Sequence, residues 1–126
     1  MPKQILNAPN GPQPIGAYSI ATEANGFVFC SGQVAIDPVT NAPVLGDVAA
    51  QAAQVMTNIK AILADVGLTL EDVVKTTIFL ADIGDFPVVN QIYGEHFESG
   101  KPARSTVQAG GLPGGYQVEI EVIAAR

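Results

Sequence analysis

The stretch AYSIATEANGFVFCSGQ, residues 17–33, sets the frame for everything around it. Two runs of strand-forming residues flank Asn25-Gly26. That dipeptide suits the type I′ turn, in which both central residues take positive φ and the flanking strands keep their right-handed twist. The reading is a β-hairpin of residues 17–24 against residues 27–33.

Upstream, NAPNGPQPIG (7–16) holds three prolines and two glycines, and reads as an irregular lead-in. Downstream, PVTNAPVLG (38–46) reads as a loop. Asp47 then suits a helix N-cap. Val48, Ala52, Val55, Ile59, Ile62 and Val66 recur at spacings of three and four, which predicts an amphipathic helix ended by Gly67. VVKTTIFL (73–80) is rich in β-branched residues and reads as a strand. Asp85 is expected to cap a second helix, with Pro87 in its first turn and Phe86, Val89, Tyr93 and Phe97 as its buried stripe. Gly94 weakens that helix, and Ser99-Gly100 stops it. Residues 103–109 and 117–124 are the last two strands, joined by a Gly/Pro turn. The order is βββ-α-β-α-ββ, the first strand without a named range. Two amphipathic helices would cover one face of a mainly antiparallel or mixed sheet, giving a two-layer α+β domain spanning residues 1–126.

The bulk properties narrow the function classes. The 126 residues suit one domain, and a hydrophobic fraction of 48% supports a buried core. Six basic against twelve acidic residues leave a net charge of −6, which disfavours nucleic acid and anionic membrane surfaces as partners. Cys30 is alone, so no internal disulfide forms. The N-terminus lacks the apolar core of a secretory signal, and no run approaches membrane-spanning length. The expectation is a soluble, cytoplasmic protein.

Strand alternation divides the charges. Val118, Ile120, Val122 and Ala124 suit the helix-covered face; Glu119, Glu121 and Ile123 point the other way. Arg104, Thr106 and Gln108 share one face of their strand, opposite Ser105, Val107 and Ala109. Val73, Lys75, Thr77 and Phe79 oppose Val74, Thr76, Ile78 and Leu80. The second face is too apolar for a fully solvated sheet, so it is read as a subunit interface with a polar, charged site at its rim.

Six segments together resemble the Rid (reactive intermediate deaminase) family, most closely its RidA-type members: IGAYS (15–19), CSGQ (30–33), DVAAQAAQVMTNIKAIL (47–63), VVKTTIFLADIGDF (73–86), PARSTV (102–107) and LPGGYQVEIEVIA (112–124). The resemblance implies a chorismate-mutase-like fold assembled as a homotrimer, with sites between neighbouring subunits. It implies hydrolysis of short-lived 2-imino acids, such as 2-iminobutanoate and 2-iminopropanoate, to 2-oxo acids and ammonia, with no metal and no cofactor. Under it, Arg104 holds the substrate carboxylate, Glu119 stands near the attacking water, and Tyr18 belongs to the site. Gly32, Ser31 and Thr106 are further expected substrate contacts. Ala17 stands where the family commonly has proline, Ile20 where it has glutamine, and Thr106 where many members have cysteine. Those departures bear on substrate range.

The residues also admit plainer readings. The planar guanidinium of Arg104 suits a bidentate grip on a carboxylate, and an ion pair with Glu119 or Glu121 stands level with that until the resemblance is added. Glu119 can orient water as a general base, although alone it reads as an outward carboxylate on a wet face. Tyr18 can close a pocket or be a half-buried strand tyrosine. Glu121 is read as structural. Cys30 reads as a buried, inert thiol. His96, the only histidine, is expected on a helix surface and supports neither a metal cluster nor a Ser/His triad. AGGLPGG (109–115) lacks the ending of a phosphate loop and is a turn. Two other functional readings stay open: a non-catalytic binder or regulator that takes 2-oxo acids, and, with less support, an endoribonuclease or translation inhibitor.

Overall fold

In a computed structural model, which describes residues 2–126, Asn25 and Gly26 take φ of 52° and 80°, as a type I′ turn requires. They join β2 (Ala21–Ala24) to β3 (Phe27–Gln33) in antiparallel register, Ala24 opposite Phe27. The first strand of the hairpin is shorter than expected. Residues 17–20 bend away, and contact is kept where Ser31 N–H donates to the Ile20 carbonyl at 2.9 Å. The leading strand without a named range is β1 (Gln4–Leu6), antiparallel to β2.

Helix α1 (Val48–Asp65) starts as the sequence implies: Asp47 Oδ1 accepts from Ala50 N–H at 2.9 Å. It ends with Gly67 at φ 81° and Leu68 N–H donating to the Leu63 carbonyl at 2.8 Å, the closure that a left-handed residue permits. Met56, Ile59, Ile62 and Leu63 are fully buried, each contributing about 1.5–3 kcal/mol by leaving water. Helix α2 (Phe86–His96) buries Val89 and Tyr93, with Phe97 just past its end. Asp85 occupies its N-cap position but makes no capping bond. A 3-10 turn, Ile83–Asp85, runs directly into α2, and the capping carboxylate is Asp82, which accepts from Gly84 N–H at 2.8 Å. Helical geometry therefore begins one turn before the predicted cap.

Strands β4 (Val73–Leu80), β5 (Ala103–Gln108) and β6 (Val118–Ala125) complete a six-stranded mixed sheet in the order β1-β2-β3-β6-β4-β5. β4 and β5 are parallel, joined through α2; the other pairings are antiparallel. Both helices cover one face, so the fold is the two-layer α+β arrangement expected. The helix-facing side of β6 is Val118, Ile120, Val122 and Ala124, all buried. Thr76, Ile78 and Leu80 of β4 join them.

Two details differ from simple alternation. A register shift between Val73 and Lys75 turns Val73 into the core and leaves Val74 exposed. The larger difference concerns β5. Arg104 pairs with Thr76 and Thr106 with Ile78 in parallel register, so both lie on the helix-covered side. Arg104 therefore does not share the open face with Glu119 and Glu121. The open face instead carries Phe27, Phe29 and Val107, each more than 40% exposed.

Candidate functional site

The site around Glu119 begins with an irregularity in β3. Cys30 pairs with Val122 and Gln33 with Ile120, so three steps on β3 oppose two on β6. This bulge at Ser31-Gly32 re-aims the strand where it passes Glu119. Gly32 lies against that carboxylate: a Cβ there would overlap Glu119 Oε2 and stand 2.8 Å from Cδ. Close approach to the carboxylate, not backbone angle, favours glycine at this position. Ser31 Oγ donates to the Ser19 carbonyl at 2.6 Å, tying the bulge to the segment that carries Tyr18.

Glu119 is half-buried at the foot of a cleft of about 470 Å³. Two stretches of chain supply the rest of its lining: Tyr18, Gly32, Val34 and Ile36 from β3 and the segments around it, and Pro113, Gly114 and Tyr116 from the turn before β6. Gly114, at φ 86°, has no room for a side chain, since a Cβ would come within 2.5 Å of the Tyr116 ring. Burial pushes the Glu119 carboxyl above its ordinary range, and Glu121 along the same strand adds to the shift. Such a group takes up a proton more readily at neutral pH than a solvated carboxylate.

Tyr18 is 53% exposed and stands outside any strand, so its ring is free to border the cleft. Ser31 lies beside the cleft, in a neighbouring depression of the open face that also includes Tyr18, Cys30 and Glu121. Cys30 is buried, and desolvation raises its thiol to about 11, which keeps it protonated and unreactive.

Arg104 belongs to a different pocket, of about 420 Å³, bounded by Asn90, Tyr93, Phe97 and Lys101. Its Nη1 donates to Asn90 Oδ1 at 2.7 Å. Its guanidinium carbon sits 5.1 Å from the Tyr93 ring centre and 5.4 Å from that of Phe86, within cation–π range. Tyr93 is held in turn by a 2.7 Å hydrogen bond with Thr76. Within one chain neither Glu119 nor Glu121 meets Arg104, so no ion pair joins them there; the ion pair among the described residues is Arg126 with Glu23 at 2.9 Å. Thr106 points to the helix-covered side, and its Oγ1 is buried with no hydrogen-bond partner among the described residues. Within one chain the fold thus gathers Tyr18, Gly32 and Glu119 with Ser31 adjoining, and sets Arg104 and Thr106 apart.

Several lining residues were not singled out from the sequence. Asn90 sits four residues after Phe86 and three before Tyr93, so helical spacing puts it beside the apolar stripe, where a lone amide is a readable signal. Ile36 and Tyr116 carry no comparable signal, because loop geometry brings them to the cleft. Among the described residues no group of three or more His, Cys, Asp or Glu is placed to hold a metal. No helix there is long and apolar enough to cross a membrane.

The sequence profile of the Endoribonuclease L-PSP family matches residues 8–126. The chain belongs to this family. A RutC family protein of Pyrococcus horikoshii is 46% identical over 122 residues, 97% of each chain. A Dermatophagoides farinae protein named 2-iminobutanoate/2-iminopropanoate deaminase is 43% identical over 122 residues, 97% of this chain and 95% of that one. The crystal structure of E. coli TdcF with bound serine superposes with a TM-score of 0.89 at 35% identity, covering 98% of both chains. The Rid-family resemblance read from the sequence motifs is thereby established, and with it the chorismate-mutase-like α+β fold.

Proposed function

We propose that this protein hydrolyses 2-imino acids to 2-oxo acids and ammonia, at sites completed between copies of the chain in a homotrimer. The observation that carries this reading is the Glu119 carboxylate, half-buried against Gly32 with its proton affinity raised. A base with that property takes a proton from water and returns it at neutral pH. Water adds to C2 of the imine while its proton passes to Glu119. That proton is delivered to nitrogen to give the carbinolamine; Glu119 then takes the carbinolamine hydroxyl proton and passes it to the amine as the C–N bond breaks, so that ammonia leaves and the ketone remains.

Such a substrate also carries a carboxylate, and the Glu119 cleft includes no Lys or Arg. Arg104 has the planar donor fork for it, already oriented by Asn90 and two rings. It lies on the opposite side of the sheet, on the edge strand β5. A neighbouring copy is therefore the source of the guanidinium that faces Glu119. The uncovered sheet face with Phe27, Phe29 and Val107 supports such an assembly. The deaminase name of the Dermatophagoides relative supports the chemistry. A cytoplasmic setting accords with the single buried thiol.

The test is oxo-acid release from iminobutanoate and iminopropanoate generated by a dehydratase, with and without this protein. Acceleration is expected. Because Glu119 must be ionised to act as base and its pKa is raised, kcat/KM should decline on the acid side at a higher pH than an ordinary carboxylate would give. A solution mass of 13.1 kDa, that of one chain, would overturn the shared site.

A second reading is supported by E. coli TdcF, whose structure contains serine. In this reading the cleft holds a small 2-oxo or amino acid without turnover. Calorimetric binding of a 2-oxo acid with no acceleration of imine decay would favour it. The nuclease suggested by the family's name has less support, since the net charge is −6 and neither the cleft nor the Arg104 pocket includes His96.

A further inference from the structure

We infer that Gln51 and Asn58, two buried amides on α1, are positioning residues that set the width of the Glu119 cleft and hence the side-chain size it accepts. The inference rests on the function proposed above.

Polar side chains are scarce in the interior: Gln33, Gln51, Asn58 and Thr76 are the buried ones. Gln51 and Asn58 are seven residues apart, two turns of helix, so they share one face of α1. That face is the apolar stripe, at positions where a methylene side chain would do for packing alone. Each amide reaches out of the helix to one wall of the cleft. Gln51 Oε1 accepts from Gln117 N–H at 2.9 Å, and its Nε2 donates to the Gly46 carbonyl at 3.2 Å. Gln117 follows Tyr116 in one wall and precedes Glu119 by two residues. Asn58 Nδ2 donates to the carbonyl of Ile36, in the other wall, at 2.7 Å. Asn58 Oδ1 accepts from Gln54 Nε2 at 2.9 Å, which fixes the orientation of the amide.

Ile36 and Tyr116 lie in loop segments on either side of Glu119 in the lining, and beyond an isolated β-bridge of Ile36 with Pro43 neither belongs to a continuous ladder. A rigid helix that hydrogen-bonds both walls from below makes their separation a property of α1. Neither amide touches the cleft, so they act through Tyr116, Ile36 and Glu119.

The experiment compares kcat/KM for imines of increasing side-chain size, in the parent and in Gln51→Met and Asn58→Leu. Each change keeps approximate volume and removes the wall tie. The expected result is a fall in kcat of about tenfold for the smallest imine, since small misplacements near the reacting atoms are costly. The preference for small over large side chains should relax several-fold as the walls part. Within one chain Glu119 shares the cleft with Tyr18 and Tyr116 and meets Glu121 along its strand; in the assembly the cation that faces it is Arg104 of the neighbouring copy, present in parent and variants alike. Wider walls admit water, so the titration of Glu119, followed by carboxyl carbon NMR, should move down towards the ordinary carboxylate range. Arg126→Met serves as control. It breaks the bonds to Glu23 and to the Val66 carbonyl, away from the cleft, and should leave both size preference and Glu119 titration as in the parent.

Folded variants with parental size preference and parental Glu119 titration would overturn the inference and leave the amides as mere fillers of backbone hydrogen bonds. If the parent itself fails to hydrolyse imines, the proposed function falls, and the NMR titration still decides the positioning role. If both variants fail to fold, the parent decides it. The Gln117 amide should exchange with solvent only through global unfolding, and exchange much faster than that overturns the tie to Gln51.

Discussion

The cleft around Glu119 and the pocket around Arg104 lie on opposite sides of one sheet and are made in different ways. The first is carved by backbone: a bulge in β3, a glycine pressed on a carboxylate, and a turn whose positive-φ Gly114 lies under a tyrosine. Its charge is half desolvated. The second is assembled from side chains on an edge strand and a helix, where two aromatic faces and one amide oxygen hold an exposed guanidinium. One region has a proton acceptor without a cation; the other has a cation without a proton acceptor. A reaction that needs both cannot be completed by one chain.

The severest test of that difference is Arg104 itself. Arg104→Ala should lower kcat/KM for imine hydrolysis at least about a hundredfold while the assembly stays folded, because a charge-assisted hydrogen bond and substrate orientation are lost together. Arg104→Lys keeps the charge but not the two-donor fork, and should recover little of the loss. Near-parental turnover in Arg104→Ala would mean that the cation takes no part.

Mixing two inactive proteins sharpens the comparison further. Arg104→Ala and Glu119→Gln, each nearly inactive alone, should regain roughly a quarter of parental activity when co-refolded in equal amounts, since random association restores one intact pair in four interfaces. No recovery would place both groups in the same chain's site.

Gly32→Ala probes the backbone-built region. The added Cβ overlaps Glu119 Oε2, and the flexible carboxylate can swing away, so the fold should survive with activity lowered about tenfold or more. Melting temperature and imine hydrolysis measured side by side separate the two effects. The smallest change is expected from Cys30→Ser. The thiol sits on the helix-facing side of β3 and stays protonated, so folded protein should keep activity within a few-fold of the parent. A hundredfold loss would give the thiol a chemical role.

Legibility in the sequence followed the range of the interactions. Asn25-Gly26, the Asp47 cap and the Gly67 stop act within a few residues, and each marked its turn, start or stop, although the strand before Asn25-Gly26 is half as long as expected. The face of Arg104 did not follow. Alternation tells which residues share a face but not which face is covered. In β5 the Arg104 set is wholly polar and the Ser105 set is the more apolar, so hydrophobicity alone points to the wrong face. Parallel pairing with β4 decides it, and that pairing is long-range. The bulge at Ser31-Gly32 is a single extra residue whose mark, a glycine inside a strand, the alternation pattern alone passes over. Gln51 and Asn58 left a signal that the apolar count passed over: two amides at stripe positions, seven apart. Glu119 was legible as a candidate from the resemblance, while its desolvation needed the surrounding walls.

The buried thiol of Cys30 gives the molecule a built-in clock. It lies on a central strand between β2 and β6, and its pKa of about 11, against an ordinary 9.0, leaves roughly a hundredth of the usual thiolate at neutral pH. An alkylating reagent added to the native protein therefore reacts chiefly with molecules whose sheet has opened, where the thiol is both accessible and normally acidic. Labelling rate measured against reagent concentration would time that opening directly, with no engineered probe and no second cysteine to confuse the signal.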